Sequence, residues 1–224
     1  MATQEGRKVV VFGTGDFARI ATAYLDVDSP HDVVALTVSE QYLTGEPVLG
    51  RDVVAFETVE ERFPPGEYAM YVAIGFSRVN QARAEIYQQA KDKGYELVSY
   101  VNSKADLWGH NEIGDNTFIF EENVIQPFVK IGSNVVLWSG NHIGHDSTIA
   151  DHVFIASHAV ISGNCTIGAY SFVGVNATFR DGITVAPRNV IGAGALIMKD
   201  TEEGAVHAVR GTPPHPKKSW ELDF

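Results

Sequence analysis

"IGHDSTIADHVFIASHAVISGNCTIG" occupies residues 143–168, and an isoleucine returns in it at every sixth place: Ile143, Ile149, Ile155, Ile161 and Ile167. The rhythm runs on in both directions. Leu107, Ile113, Ile119, Ile125, Ile131 and Leu137 hold the same phase before it, and Val173, Phe179, Val185, Ile191 and Ile197 after it. A half-buried strand alternates every two residues and a helix repeats near 3.6, so neither explains a period of six. Short strands separated by bends and stacked into a parallel β-helix do explain it. Three hexads close one triangular coil, so residues 18 apart lie above one another. About five such coils cover Leu107 to Asp200.

The neighbouring columns agree. One place after the apolar site stand Gly114, Gly132, Gly144, Gly168, Gly174 and Gly192, with Ala150, Ala156 and Ala186. Four places after it come mostly small residues, among them Thr117, Val129, Ser147, Ala159, Cys165, Ser171 and Ala177. Small side chains suit a tight interior beside a large aliphatic one. The glycines are expected to mark corners with unusual φ.

The first hundred residues obey another rule. Lys8 to Phe12 is an apolar run suited to a central parallel strand, and "GTGDFARIATAYL" follows it. Further strands are expected at Val33–Val38, Ala69–Ile74 and Glu96–Val101, with a helix from about Ser77 to Lys93. Alternating strands and helices imply βαβ units on a parallel sheet. Gly13, Gly15 and Ala18 have the spacing G-x-G-x-x-A directly after a strand. There glycines let a backbone approach a phosphate and a helix start supplies N–H donors. The same glycines would also serve a plain tight turn. Glu40, after Ser39 at the end of the second strand, is either a ribose-binding acid or a solvated loop charge. So short a segment fits one half of a Rossmann fold, holding a mononucleotide. The chain is therefore expected to divide into an α/β half-Rossmann domain at 1–101 and an all-β left-handed parallel β-helix with a C-terminal tail at 102–224.

Bulk properties narrow the partners. The 224 residues are 45% hydrophobic and 20% charged, as in a folded globular chain. A net charge of −11 argues against a nucleic acid or an anionic membrane as partner. Cys165 is the single cysteine, so no internal disulfide forms and a reducing compartment fits. No leader or membrane-spanning apolar run is apparent, and the expected location is the cytoplasm.

"NHIGHDST" at 141–148 admits three readings. A zinc site needs three converging ligands. His110 and His145 stand at different places in their hexads and residue 150 is alanine, so no metal is expected. Solvated bends account for His142, His152 and His158. General base catalysis is the reading for His145, which follows a corner glycine and must point away from the filled interior. Asp146 beside it would raise its basicity and fix its tautomer. Gly163, one coil above, has no side chain to crowd it.

The hexad pattern resembles the hexapeptide-repeat acyltransferases, whose left-handed β-helices usually form trimers. "VFGTGDFAR" (11–19), "GEPVLG" (45–50), "NHIGHDSTIADHVFIASHAVISGNCTIG" (141–168) and "VRGTPPHP" (209–216) make the chain similar to the PglD/NeuD-type sugar acyltransferases over nearly its whole length. That resemblance implies acetyl-CoA as co-substrate, a nucleotide-linked amino sugar as acceptor, and a homotrimer with active sites between subunits. It implies His145 as base with Asp146 as its partner, and the Gly163 N–H as oxyanion donor. Attack would be direct, because Cys165 belongs to the interior column. Substrate would lie on Gly13, Gly15, Asp16, Phe17, Arg19, Ser39, Glu40, Gly75 and Arg78. The acetyl-CoA groove would use Gly174, Val175, Gly192 and Ala193, with Lys199, Arg210, Lys217 and Lys218 near the phosphates. Where some members carry a second histidine, nine residues after the base, this chain has Phe154, which would shape the acyl pocket instead. Sugar O-acetylation and a non-catalytic trimeric scaffold are the alternatives.

Overall fold

The structure, a computed structural model, describes residues 6–223; residues 1–5 and Phe224, the outer ends of the two expected domains, lie outside it. The first body is a four-stranded parallel sheet. Its strands are β1 (Lys8–Phe12), β2 (Asp32–Val38), β3 (Val53–Ala55) and β4 (Tyr68–Val72), in the order β3-β2-β1-β4. Helices α1 (Asp16–Asp28), α2 (Val59–Arg62) and α3 (Gln81–Asp92) complete it. The apolar runs are central strands for the expected reason. Val9, Val10 and Val11 are wholly buried, with Val9 and Val11 on one side of the sheet and Val10 on the other. Burial on both faces is what a continuous apolar run requires.

Two expectations are corrected here. The helix expected from Ser77 begins at Gln81, because Arg78, Val79 and Asn80 all take positive φ (52°, 51° and 64°) and cannot be helical. The strand expected at 96–101 is divided. Leu97 bridges to Met70 on the first sheet, whereas Tyr100–Val101 pairs with Phe118–Ile119 in the second body.

The second body is the left-handed β-helix. Two-residue strands stack in parallel on three faces, each pairing with the strand 18 residues away, as Phe154–Ile155 does with Val136–Leu137. Face one holds seven strands from Tyr100–Val101 to Val206–His207, face two six and face three five. The repeat thus begins before Leu107 and ends after Asp200. The sixfold column fills the tube: Ile119, Ile125, Leu137, Ile143, Ile149, Ile155, Ile161 and Ile167 are all fully buried.

The glycine column works differently from the φ argument. Gly114, Gly132, Gly144, Gly168, Gly174 and Gly192 have ordinary φ, and the left-handed residues are those three places after the apolar site. Asn116, Asn134, Asp146, His152, Asn164 and Asn176 occupy that place with φ between 51° and 64°. Asparagine and aspartate tolerate this region best among residues with side chains. The glycines are needed for space. A Cβ on Gly144 would lie 2.4 Å from the Gly163 nitrogen and 2.5 Å from the Ser162 carbonyl carbon. Both atoms belong to the backbone of the next coil and cannot rotate away. Gly144→Ala is therefore expected to destabilise the chain by roughly 3 kcal/mol, read as a fall in urea midpoint at unchanged slope.

The two bodies are joined through face one. The outward residues Phe118, Val136 and Phe154 and the neighbouring Phe120 pack with α1 and β4 side chains in one core cluster. Phe17 of α1 approaches Phe118, Phe120, Tyr71 and Trp138 at 6.1–6.4 Å between ring centroids. Edge-on and tilted aromatic contacts of this kind add to plain area burial. Polar ties reinforce them: the Val72 N–H donates to Asn116 Oδ1 at 2.7 Å, and Asn116 donates to Asn134 Oδ1 at 2.8 Å.

Candidate functional site

Two regions hold the chemistry. The first is a cleft of about 560 Å³ at the carboxyl ends of β1, β2 and β4. Phe12, Gly13, Val38, Ser39, Ile74 and Arg78 are among its lining residues. In an open parallel sheet this end, where the strand order reverses, is where ligands bind. Here the reversal falls between β1 and β4. Gly13 turns the chain with φ of 122°, and a Cβ there would meet the Ala73 carbonyl oxygen at 2.8 Å. Only glycine passes β4 so closely. Gly15 is the N-cap of α1, without a side-chain cap bond, so the first N–H groups of the helix remain open to a ligand.

The cleft brings together Gly13, Ser39 and Arg78. Gly75 precedes Arg78 on the loop after β4. Asp16 and Arg19 lie on the exposed side of α1, 3.9 Å apart. Phe17 turns inward to the aromatic seam between the bodies. Glu40 starts an exposed single turn, and its N–H donates to the Glu57 carboxylate at 2.9 Å. Tyr42 and Glu85 also line the cleft, and sequence reading missed both. Glu85 pairs with Arg78 at 2.5 Å, a contact between a loop and a helix that no local pattern announces.

The second region is the corner between faces two and three. His145 is exposed there, with 53% of its side chain accessible, and its Nδ1 lies 2.9 Å from Asp146 Oδ2. The His145 N–H donates to Gln126 Oε1 at 2.9 Å, so a side chain from the coil below holds the His145 backbone. With Nδ1 hydrogen-bonded to a carboxylate, Nδ1 carries the proton and Nε2 is left as the basic nitrogen. Nε2 points over Gly163, where an added Cβ would come within 2.6 Å of it. Gly163→Ala is thus expected to push the ring aside while leaving the melt unchanged, since the obstacle is the end of a mobile side chain. Turnover should fall at least about tenfold if ring placement matters, read from steady-state kinetics beside a thermal scan.

The Gly163 carbonyl accepts from Gly182, while the Gly163 N–H has no backbone or side-chain acceptor among the described residues. Cys165 is 1% exposed, with its sulfur 3.2 Å from the Arg180 carbonyl oxygen; burial pushes its thiol pKa up, away from nucleophile chemistry. No group of three His, Cys, Asp or Glu suited to a metal occurs among the described residues. No helix among them is long and apolar enough to cross a membrane.

The remaining residues are scattered. Gly174 and Val175, with Gly192 and Ala193 one coil on, sit at the corner between faces one and two, where Val175 is 44% exposed. Lys199 is exposed at the corner of His145, three coils further along. Phe154 is 4% exposed, stacked on Phe172 and touched by Phe76 and Arg83. It faces the seam between the bodies. His152 differs from the solvated bend expected of it: it packs against Tyr87 and Tyr170, and burial lowers its pKa.

Cleft and histidine lie on opposite sides of the tube. The α/β body covers face one, whereas His145 stands at the corner opposite that face. A side of six residues at ~3.3 Å each puts that corner roughly 15 Å from face one, through a filled core.

The family model "Bacterial transferase hexapeptide (six repeats)" matches residues 129–163, which include His145, Asp146 and Gly163. No curated protein sequence matches the chain. Among solved structures, the chain resembles a substituted perosamine N-acetyltransferase from Caulobacter crescentus in complex with CoA and GDP-perosamine. That match has a TM-score of 0.81 at 22% identity, over 89% of this chain and 92% of the other. The acetyltransferase domain of PglB from Neisseria gonorrhoeae matches with a TM-score of 0.77 at 25% identity, over 89% and 95%. The same domain in complex with acetyl coenzyme A gives 0.78 at 24%, over 90% and 95%. The chain therefore carries the hexapeptide repeats of bacterial transferases and shares the full two-body fold of these acetyltransferases.

Proposed function

We propose that the chain is an acetyl-CoA-dependent N-acetyltransferase acting on the amino group of a nucleotide-linked amino sugar, as a homotrimer with its sites between subunits. One observation carries this reading: the likeness to acetyltransferases extends across both bodies, not the repeat alone. One of those relatives was solved with CoA and a nucleotide sugar, and another with acetyl-CoA. The separation of cleft from base supports the assembly. In a ring of chains, the cleft of one subunit faces the base of the next.

The chemistry follows from the residues. The nucleotide diphosphate lies at the Gly13–Gly15 turn, against open N–H groups at the start of α1. The sugar amine attacks the thioester carbonyl carbon of acetyl-CoA. His145 Nε2 takes the proton that the nitrogen loses, and Asp146 steadies the resulting imidazolium. The Gly163 N–H, which has no acceptor among the described residues, donates to the oxyanion of the tetrahedral intermediate. The carbon–sulfur bond then breaks, His145 returns its proton to the thiolate, and CoA and the N-acetyl sugar leave. No acyl-enzyme is needed, and the buried Cys165 offers none. The CoA phosphates would meet Lys199, which shares the corner of His145, and the pantetheine arm would follow Val175 and Ala193 of a neighbouring subunit.

The test is product mass spectrometry with acetyl-CoA and a panel of UDP- and GDP-linked amino sugars. A mass gain of one acetyl group on nitrogen supports the reading. Transfer to a hydroxyl, or no transfer across the panel, sinks it.

A further inference from the structure

Arg83 of α3 is wholly buried, and no carboxylate pairs with it among the described residues. Its guanidinium is instead surrounded by carbonyl oxygens from both bodies. Nη1 donates to the Gly75 carbonyl at 2.9 Å and to Asn80 Oδ1 at 3.0 Å. Nη2 donates to the His152 carbonyl at 3.0 Å and the Asn134 carbonyl at 3.2 Å, and Nε also reaches Asn134 at 3.3 Å. The Phe154 ring closes one side at 5.7 Å. Burial lowers the pKa of this arginine to about 10, which leaves it charged at neutral pH. A buried cation is tolerated only where dipoles replace its hydration, and five donors in a rigid fork suit this arrangement.

The segment it holds is strained. Arg78, Val79 and Asn80 are three consecutive residues with positive φ, a region that a β-branched residue such as Val79 rarely adopts. Such a conformation persists only if its surroundings enforce it. Two side chains do so: Arg83 from the helix, and Asn80, whose Nδ2 donates to the Tyr170 and Ser171 carbonyls at 2.9 and 3.0 Å. The held loop delivers Arg78 to the wall of the cleft.

We propose that Arg83, with Asn80, is a positioning residue for the nucleotide cleft: it clamps the strained loop 75–80 onto the β-helix and so fixes Arg78 at the cleft wall. This rests on the nucleotide reading of the cleft. Arg83 touches no substrate, and it acts through the loop. A sequence pattern could not find it, since an arginine on a mainly polar helix reads as solvated.

The test compares the full-length wild type with Arg83→Lys, Arg83→Met and Asn80→Gly. Lysine keeps the charge and loses the fork; glycine keeps the positive φ and loses the anchor to Tyr170 and Ser171. Amide hydrogen exchange is read by segment, and binding of UDP, GDP and acetyl-CoA by calorimetry. The expected result is exchange at 75–80 at least about tenfold faster in all three variants, with the amides of 142–149 unchanged. Affinity for the nucleoside diphosphate that the wild type prefers should fall at least about tenfold, and acetyl-CoA affinity should not move. Unchanged loop exchange or unchanged nucleotide affinity in Arg83→Lys and Asn80→Gly overturns the proposal. So does a loss of protection spread evenly over the chain, which marks Arg83 as merely structural. A wild type that binds neither UDP nor GDP is a separate failure, of the cleft reading itself, and removes the proposal with it.

Discussion

His145→Gln is expected to lower turnover by about 10² to 10⁴-fold, with the melting temperature and the KM for acetyl-CoA unchanged. Glutamine fits the exposed corner and retains a hydrogen-bonding side chain, so neither packing nor the Gln126 contact to the backbone is lost. What it lacks is a group that accepts a proton near neutral pH. A loss confined to kcat means the imidazole serves the transition state; a loss confined to KM means it serves binding. Asp146→Asn sharpens the comparison, because asparagine also tolerates a φ of 57° and retains an acceptor for Nδ1–H. It removes only the charge that favours the imidazolium, so its loss should be smaller than that of His145→Gln. The pair is half exposed and solvent screens it, which limits the size of that charge effect. Full turnover in His145→Gln would remove His145 as the base, whereas a wild type without turnover would leave the scaffold reading as the one standing.

The repeat was legible because its physics is one-dimensional. Each coil buries the same apolar column against the next, so Ile143 and Ile161 report the fold without knowledge of anything distant. The reason for the glycines was misjudged from the same columns. Spacing shows that Gly144 recurs, but only the stacked coil reveals that the backbone at Gly163 occupies the place of its Cβ. The His145–Asp146–Gly163 corner was legible for the same reason: two of its members are adjacent in sequence and the third is 18 residues on.

The joint between the bodies was not legible. Asn80 meets Tyr170 and Ser171 across 90 and 91 residues, and Arg83 meets His152 across 69. No local rule connects such positions. The helix expected from Ser77 failed at this joint, where tertiary hydrogen bonds hold Arg78 to Asn80 in a conformation that propensity disfavours. Phe17 shows the limit of a motif: its neighbours Gly13 and Gly15 shape the cleft turn, while its own ring turns to the seam. Among the cofactor residues, Val175 and Ala193 share a phase along the chain, and Lys199 joins them by its charge. In three dimensions Val175 and Lys199 occupy different corners, and they share a groove only if a second copy brings one corner to the other.

That geometry yields the second large effect. Two inactive chains should restore each other when mixed. His145→Ala removes the base and leaves the cleft intact. Ala82→Trp fills the cleft, whose wall Ala82 forms from a partly exposed position on α3, and leaves the corner intact. Each homogeneous assembly should be nearly inactive. After co-refolding in equal amounts, a site between subunits is wild type when its base comes from an Ala82→Trp chain and its cleft from a His145→Ala chain. Random mixing in a ring gives that combination at about one site in four, so about a quarter of wild-type turnover should return. The prediction rests on the proposed ring and on the tube: roughly 15 Å of packed side chains separates face one from the opposite corner, and no rotamer of His145 crosses it. Activity that stays near zero in the mixture, with mixed assemblies verified by native mass spectrometry, would mean that cleft and base work within one chain, and the placement of the α/β body on face one would then have to change in solution.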